Sequence, residues 1–216
     1  MKTLRYTNIL FDFDGTIADT NKGIVLTVQE TLRQMSLPIP DSSEISKIIG
    51  LPLDDCFRIA AKVDESRVKE ASNLYRSIFM DIALEKITLF EGVLETLQKL
   101  KDEGVFMAIA SSRNLVSLLP LAKYFGIDKF IDYIYGEDDC LNPKPAPDLA
   151  LKIMKEHNLR SHDTLVVGDT IYDLMMGLSA GCEVCGVTFG NHSKEKLLTA
   201  NPTHIVDRFP EILSIL

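Results

Sequence analysis

The sequence predicts an α/β fold: a doubly wound parallel sheet with a small α-helical domain inserted after its first strand. Two observations carry this. Short apolar runs at 8–13, 105–110 and 164–168 each end in polar residues and lead into a helical pattern, as strands buried on both faces and linked by helices do. From 19 to 88, by contrast, only helical patterns occur, which reads as an insertion into the alternation.

The elements follow in order. NILFDF (8–13) is the first strand. Helical patterns span 20–36, 43–49, 53–62 and 65–84, with a loop at Pro38 and Pro40 after the first. The alternation then resumes: helix 92–103, strand 105–110, helix 114–125, a shorter strand 130–135, helix 147–157, strand 164–168, helix 171–180. Gly104, Gly126 and Gly181 stand where helix C-terminal signals belong. Strands at 183–188 and 203–206 and a helix at 208–216 complete the chain. An α/β core is therefore expected over 1–18 and 89–216, and the inserted helical domain over 19–88.

The chain has 216 residues, 46% of them hydrophobic, enough to bury one generous core with an insert. Its formal net charge of −8 argues against nucleic acid or an anionic membrane as principal partner. A phosphorylated small molecule stays open, because a local cation can override the global field. MKTLRYTNIL lacks the apolar centre of a signal peptide, and no run is long enough to span a membrane, so a cytoplasmic location is expected. Cys182 and Cys185 form C-x-x-C without a second pair at metal spacing and read as small hydrophobes around a strand. The four histidines are scattered; even His192, which follows a strand end, is not expected at the site.

Ligands of such sheets bind beyond the carboxyl ends of the strands. After the first strand come Asp12 and Asp14, and after 105–110 come Ser111 and Ser112. After 164–168 comes Asp169, with Asp173 four residues on and on the same face if the helix has begun. Lys144 stands between prolines in NPKPAPD (142–148). Singly, each has a plain alternative: an Asp-Gly turn, a helix N-cap, a surface lysine. A calcium loop fails on spacing, since Leu10 stands where a ligand is needed. Together, on one sheet edge, these residues point to a shared site.

DFDGT (12–16), Ser111, Lys144 and GDTIYD (168–173), in that order, resemble the four motifs of the haloacid dehalogenase superfamily. FEGV (90–93), KPAPD (144–148), GVTFG (186–190) and VDRFPEIL (206–213) are similar to its phosphoglycolate phosphatase-like branch. The resemblance implies a Rossmann-like core with a helical cap, and Mg2+-dependent hydrolysis of a small phosphorylated metabolite. Asp12 would be the nucleophile and Asp14 the acid/base, while Ser111 and Lys144 grip the phosphoryl oxygens, with backbone groups near Phe13 and Ser112. Asp12, the Asp14 carbonyl and Asp169 would hold the metal, with Asp173 behind them. It also implies a monomer or weak homodimer.

A β-phosphoglucomutase-like mutase and an inorganic pyrophosphatase are the alternatives on the same core. Against the mutase, Ile24 stands where those enzymes carry histidine, Leu53 where they carry arginine, and Gly168–Asp169 where they carry Glu-Asp. Candidate substrate contacts are Arg76 and the 50–53 loop from the cap, and Arg113 from the core. Arg76 also reads as the wet side of an amphipathic helix.

Overall fold

The computed structural model describes residues 4–216; residues 1–3 of the expected core lie outside them. The strands are β1 (Asn8–Phe11), β2 (Ala18–Asp19), β3 (Thr88–Leu89), β4 (Phe106–Ala110), β5 (Tyr133–Tyr135), β6 (Thr164–Gly168), β7 (Glu183–Val187) and β8 (His204–Val206). Six of them form a parallel sheet in the order β5-β4-β1-β6-β7-β8. The winding changes direction at β1. The first strand is thus central, and its carboxyl end lies between those of β4 and β6.

Both faces of the sheet are covered, which explains the unbroken apolar runs. Ile9, Phe11, Met107, Ile109, Leu165 and Val167 point to one core, and Leu10, Ala108, Ala110 and Val166 to the other. On the first side pack α5 (Val93–Asp102), α6 (Leu115–Tyr124) and a 3-10 segment, Phe209–Ser214. On the second pack α7 (Asp148–Glu156), α8 (Ile171–Ser179) and α9 (Lys194–Leu198). A period-two alternation thus runs inside stretches whose composition looks uniform.

Between β2 and β3, which pair antiparallel, the chain forms α1 (Asn21–Gln34), α2 (Ser42–Ser46), α3 (Leu53–Ile59) and α4 (Glu65–Ala83). Val28 and Leu32 of α1, Phe57 of α3, and Val68, Tyr75 and Phe79 of α4 bury their apolar faces against one another. Asp64 caps α4 by accepting from the Ser66 N–H at 3.0 Å.

Three elements differ from expectation. The β2–β3 ribbon was not anticipated, because two-residue strands carry no periodicity. The expected helix at 208–216 is a 3-10 segment starting on Phe209–Pro210, and the short α9 follows the Ser193 cap unannounced. Cys182 and Cys185 are buried and unpaired, Cys185 within β7, in keeping with their reading as small hydrophobes. Among the described residues, no helix is long and apolar enough to cross a membrane.

Candidate active site

Three strand ends supply the site. Asp12 follows β1 and is fixed by its own N–H, which donates to the Val167 carbonyl at 2.8 Å. The chain must then turn sharply away from the sheet. Gly15 makes this possible at φ +95°, and a Cβ there would lie 2.2 Å from Asp169 Oδ2. Only glycine meets both demands, which accounts for the Asp-Gly pair. The Phe13 side chain is fully buried, and its carbonyl accepts from the Ile17 and Ala18 N–H groups at 3.1 and 3.0 Å. Asp14 is thereby turned toward the helical segment.

Lys144 reaches the site from the loop before α7. Its ammonium is buried and lies 2.6 Å from Asp12 Oδ1 and 2.6 Å from Asp173 Oδ1. Burial works against this charge, but Asp12 and Asp173 outweigh it and hold Lys144 above the ordinary lysine value. For Asp12, burial dominates and drives the carboxyl well upward; Lys144 opposes it, while Asp173 and Asp169 add to it.

Asp169 and Asp173 converge by a different route from the one the spacing suggests. Asp169 precedes the α8 cap, so the two do not share a helix face. Asp173 belongs to a capping box: its Oδ2 accepts from the Thr170 N–H at 3.0 Å and the Thr170 hydroxyl at 2.6 Å. That leaves Oδ1 for Lys144. Asp169 accepts from the Thr16 hydroxyl at 3.1 Å and from Asn191 twice, by its N–H at 2.7 Å and its side-chain amide at 2.8 Å. Burial, together with Asp173, nevertheless pushes Asp169 up to about 7.

Oxygens of Asp12, Asp169 and Asp173 lie within 4.8 Å of one another, all buried. Lys144 is the one cation against these three carboxylates among the described salt bridges. Fully ionised, the three would leave two negative charges in excess, which is why Asp12 and Asp169 are held protonated to higher pH. The arrangement is costly as it stands and suits a divalent cation with a preference for hard oxygen donors.

Ser111 and Ser112 follow the carboxyl end of β4, the strand paired with β1. The Ser111 N–H donates to the Tyr135 carbonyl at 3.0 Å, and its hydroxyl oxygen accepts from the Arg113 N–H at 3.1 Å. Ser112 donates its hydroxyl to the Gly50 carbonyl at 3.0 Å, joining core to helical segment. Arg113, expected near the entrance, is buried instead. It holds Asp14 through two hydrogen bonds of 2.9 and 2.7 Å, with its guanidinium 4.2 Å from the centre of the Phe79 ring. Arg76 is half-buried, not on a wet face, and pairs with Glu137 at 2.8 Å. Both arginines line a cavity of about 80 Å³ beyond Asp14, walled on its other sides by Ile24, Leu51, Leu53 and Tyr75.

Two residues escaped the sequence reading. Asn191 bridges Asp169 to the helical segment, because its Oδ1 accepts from Asn21 at 2.7 Å, and Asn21 in turn accepts from Ser46 at 3.1 Å. His192, expected away from the site, adjoins it: its N–H donates to the Asp169 carbonyl at 3.3 Å, and Nδ1 accepts from the Ile171 N–H at 3.1 Å. Both lie beyond the carboxyl end of β7, the position that marks the site residues on β1, β4 and β6. The shorter apolar run of β7 carries the same signal more weakly.

The comparisons with known proteins agree with this architecture. Residues 9–187 match the family described as haloacid dehalogenase-like hydrolase. The chain is 36% identical over 209 residues to the probable phosphatase IndB of Dickeya dadantii, covering 95% of this chain and 91% of that one. It is 33% identical over 201 residues to a 5'-nucleotidase of Pseudomonas aeruginosa, covering 93% and 91%. A crystal structure described as a predicted phosphoglycolate phosphatase from Haemophilus somnus superposes with a TM-score of 0.88 at 25% identity, covering 98% of each chain. A match over most of the chain, the parallel sheet wound outward from β1 and the acidic residues at its centre all lead to one assignment: the chain belongs to the haloacid dehalogenase-like hydrolases.

Proposed function

We propose that this protein is a magnesium-dependent phosphatase that hydrolyses a small phosphomonoester through an aspartyl-phosphate on Asp12. The observation that carries the reading is the cluster of three buried carboxylates, Asp12, Asp169 and Asp173, served by a single ammonium already directed at Asp12.

In this reading Asp12 attacks phosphorus and displaces the alcohol, and water then cleaves the acyl phosphate in a second, easier displacement. Asp14 delivers a proton to the leaving oxygen and later takes one from the attacking water. Arg113 holds Asp14 as a carboxylate through both oxygens, the state that takes a proton from water; for the acid step one oxygen leaves Arg113 to carry the proton. Lys144 and the Ser111 hydroxyl meet the phosphoryl oxygens as charge spreads over them. Magnesium, when bound, supplies the charge that lets a phosphate dianion approach a carboxylate. Asp12, the Asp14 carbonyl and Asp169 would hold it. Asp173, with Oδ1 on Lys144 and Oδ2 on Thr170, would support it from behind. Helices α1–α4 act as a cap that excludes water; the Ser112–Gly50 bond and the Arg76–Glu137 pair support this by joining them to the core.

The mutase alternative finds no support in the cavity, where Ile24 and Leu53 present apolar carbon in place of the histidine and arginine such enzymes carry. Phosphate release from a panel of phosphomonoesters, with magnesium and with chelator, tests the proposal. Magnesium-dependent release is expected, and silence on every ester would overturn it. Asn191→Ala is expected to weaken apparent magnesium affinity roughly 10- to 100-fold, because it removes a hydrogen bond that orients Asp169. The magnesium-induced rise in thermal midpoint should shrink with it. An unchanged metal titration would show that Asn191 does not act through Asp169.

A further inference from the structure

In the cavity beyond Asp14 every cation is paired before any ligand enters, and a third carboxylate, Asp12, lines it as well. Its two arginines are its only cations among the described lining residues, and each already has a carboxylate partner in the same wall. Arg113 is held by Asp14 through both oxygens, with side chains 7% and 13% exposed. Arg76 is held by Glu137, with side chains 27% and 19% exposed. The remaining wall includes Ile24, Leu51, Leu53 and Tyr75.

We propose that the site selects phosphomonoesters whose alcohol is uncharged, with an apolar face and hydroxyl donors, and discriminates against substrates that carry a second anion. The inference rests on the phosphatase reading and names the substrate class of that same site. A carboxylate or second phosphate on the leaving group would need a guanidinium. Both arginines keep spare N–H donors, since Arg76 spends one on Glu137 and Arg113 two on Asp14. An anion reaching them would still lie beside Asp12, Asp14 and Glu137, three carboxylates against two guanidiniums in one wall. An uncharged alcohol meets no such conflict. Its apolar face covers Ile24 and Leu53, and its hydroxyls donate to Glu137, whose carboxylate only accepts while it is ionised. The presence of two arginines in this wall therefore does not mark an anion subsite. Phosphoglycolate and pyrophosphate are both disfavoured on this account.

The test compares kcat/KM within matched pairs on the magnesium-loaded wild type: glycerol 3-phosphate against 3-phosphoglycerate, and phenyl phosphate against 4-carboxyphenyl phosphate. The uncharged member should be preferred by roughly tenfold or more in each pair, the scale of a like-charge contact at a partly buried site. Glu137→Gln, which releases Arg76, should narrow the ratio within the glycerol pair. Equal or better turnover of the charged members by the wild type would overturn the inference and leave the phosphatase reading standing. An unchanged ratio in a folded Glu137→Gln variant would also overturn it. Silence on all four esters and on p-nitrophenyl phosphate would remove the phosphatase reading, and the inference with it.

Discussion

Replacing Asp12 with asparagine is expected to abolish phosphate release, by at least about 10⁴-fold, because an amide is no nucleophile toward phosphorus at neutral pH. The fold should survive. The asparagine keeps the shape of the aspartate, the backbone N–H at this position still donates to the Val167 carbonyl, and Lys144 retains Asp173. The substitution removes one of three buried carboxylates facing a single ammonium, so it relieves repulsion from Asp169 and Asp173 that helps push Asp12 upward. In chelator, its thermal midpoint should equal or exceed that of the wild type. In magnesium the order should reverse, because a ligand stabilises the native state it binds by an amount that rises with the logarithm of its affinity. Turnover within tenfold of wild type would remove Asp12 as nucleophile. A midpoint well below wild type in chelator would contradict this charge balance.

Lys144→Met is expected to cost both activity and stability. Losing the ammonium that meets the phosphoryl oxygens should lower kcat/KM by about 10²- to 10³-fold, the usual scale for one preorganised electrostatic contact. Methionine retains the apolar stem but leaves Asp12 and Asp173 without their shared partner, and breaking a buried pair in this way costs about 3–5 kcal/mol. Urea denaturation in chelator should show that loss, and magnesium should recover part of it. The direction of the lysine shift adds a pH signature. A group held above its ordinary value contributes stability that is complete below that value and fades as pH climbs past it. The wild-type advantage over Lys144→Met should therefore persist at neutral pH and begin to fall only as pH passes the ordinary lysine value of 10.5. An activity loss without any stability loss would mean that Lys144 serves substrate alone.

The two substitutions differ in sign because the same cluster holds too many carboxylates and too few cations. Removing an acid relaxes it, and removing the base worsens it.

Much of the site could be read from the chain in advance. Asp12, Asp14, Ser111, Ser112 and Asp169 all directly follow or closely trail strands that announce themselves as apolar runs, and parallel strands bring their carboxyl ends to one edge. Lys144 was legible for another reason, its prolines restricting the loop that carries it. The two-residue β2 and β3, the short α9 and the 3-10 segment Phe209–Ser214 were not legible as such, because periodicity needs more residues than they contain.

The order of residues along the chain was enough to establish the α/β alternation, the helical stretch after β1 and the acids that meet at the sheet edge, since each depends on local pattern and on strand polarity. Which charge neutralises which was decided by packing. Arg113 is 99 residues from Asp14, and Arg76 is 61 from Glu137; nothing local in either segment names its partner. From the sequence, both arginines stood as candidate substrate contacts. Folding of the core brings Asp14 to Arg113, and packing of the helical segment against the core brings Arg76 to Glu137. A carboxylate at hydrogen-bonding distance offsets most of each guanidinium's field before a ligand arrives.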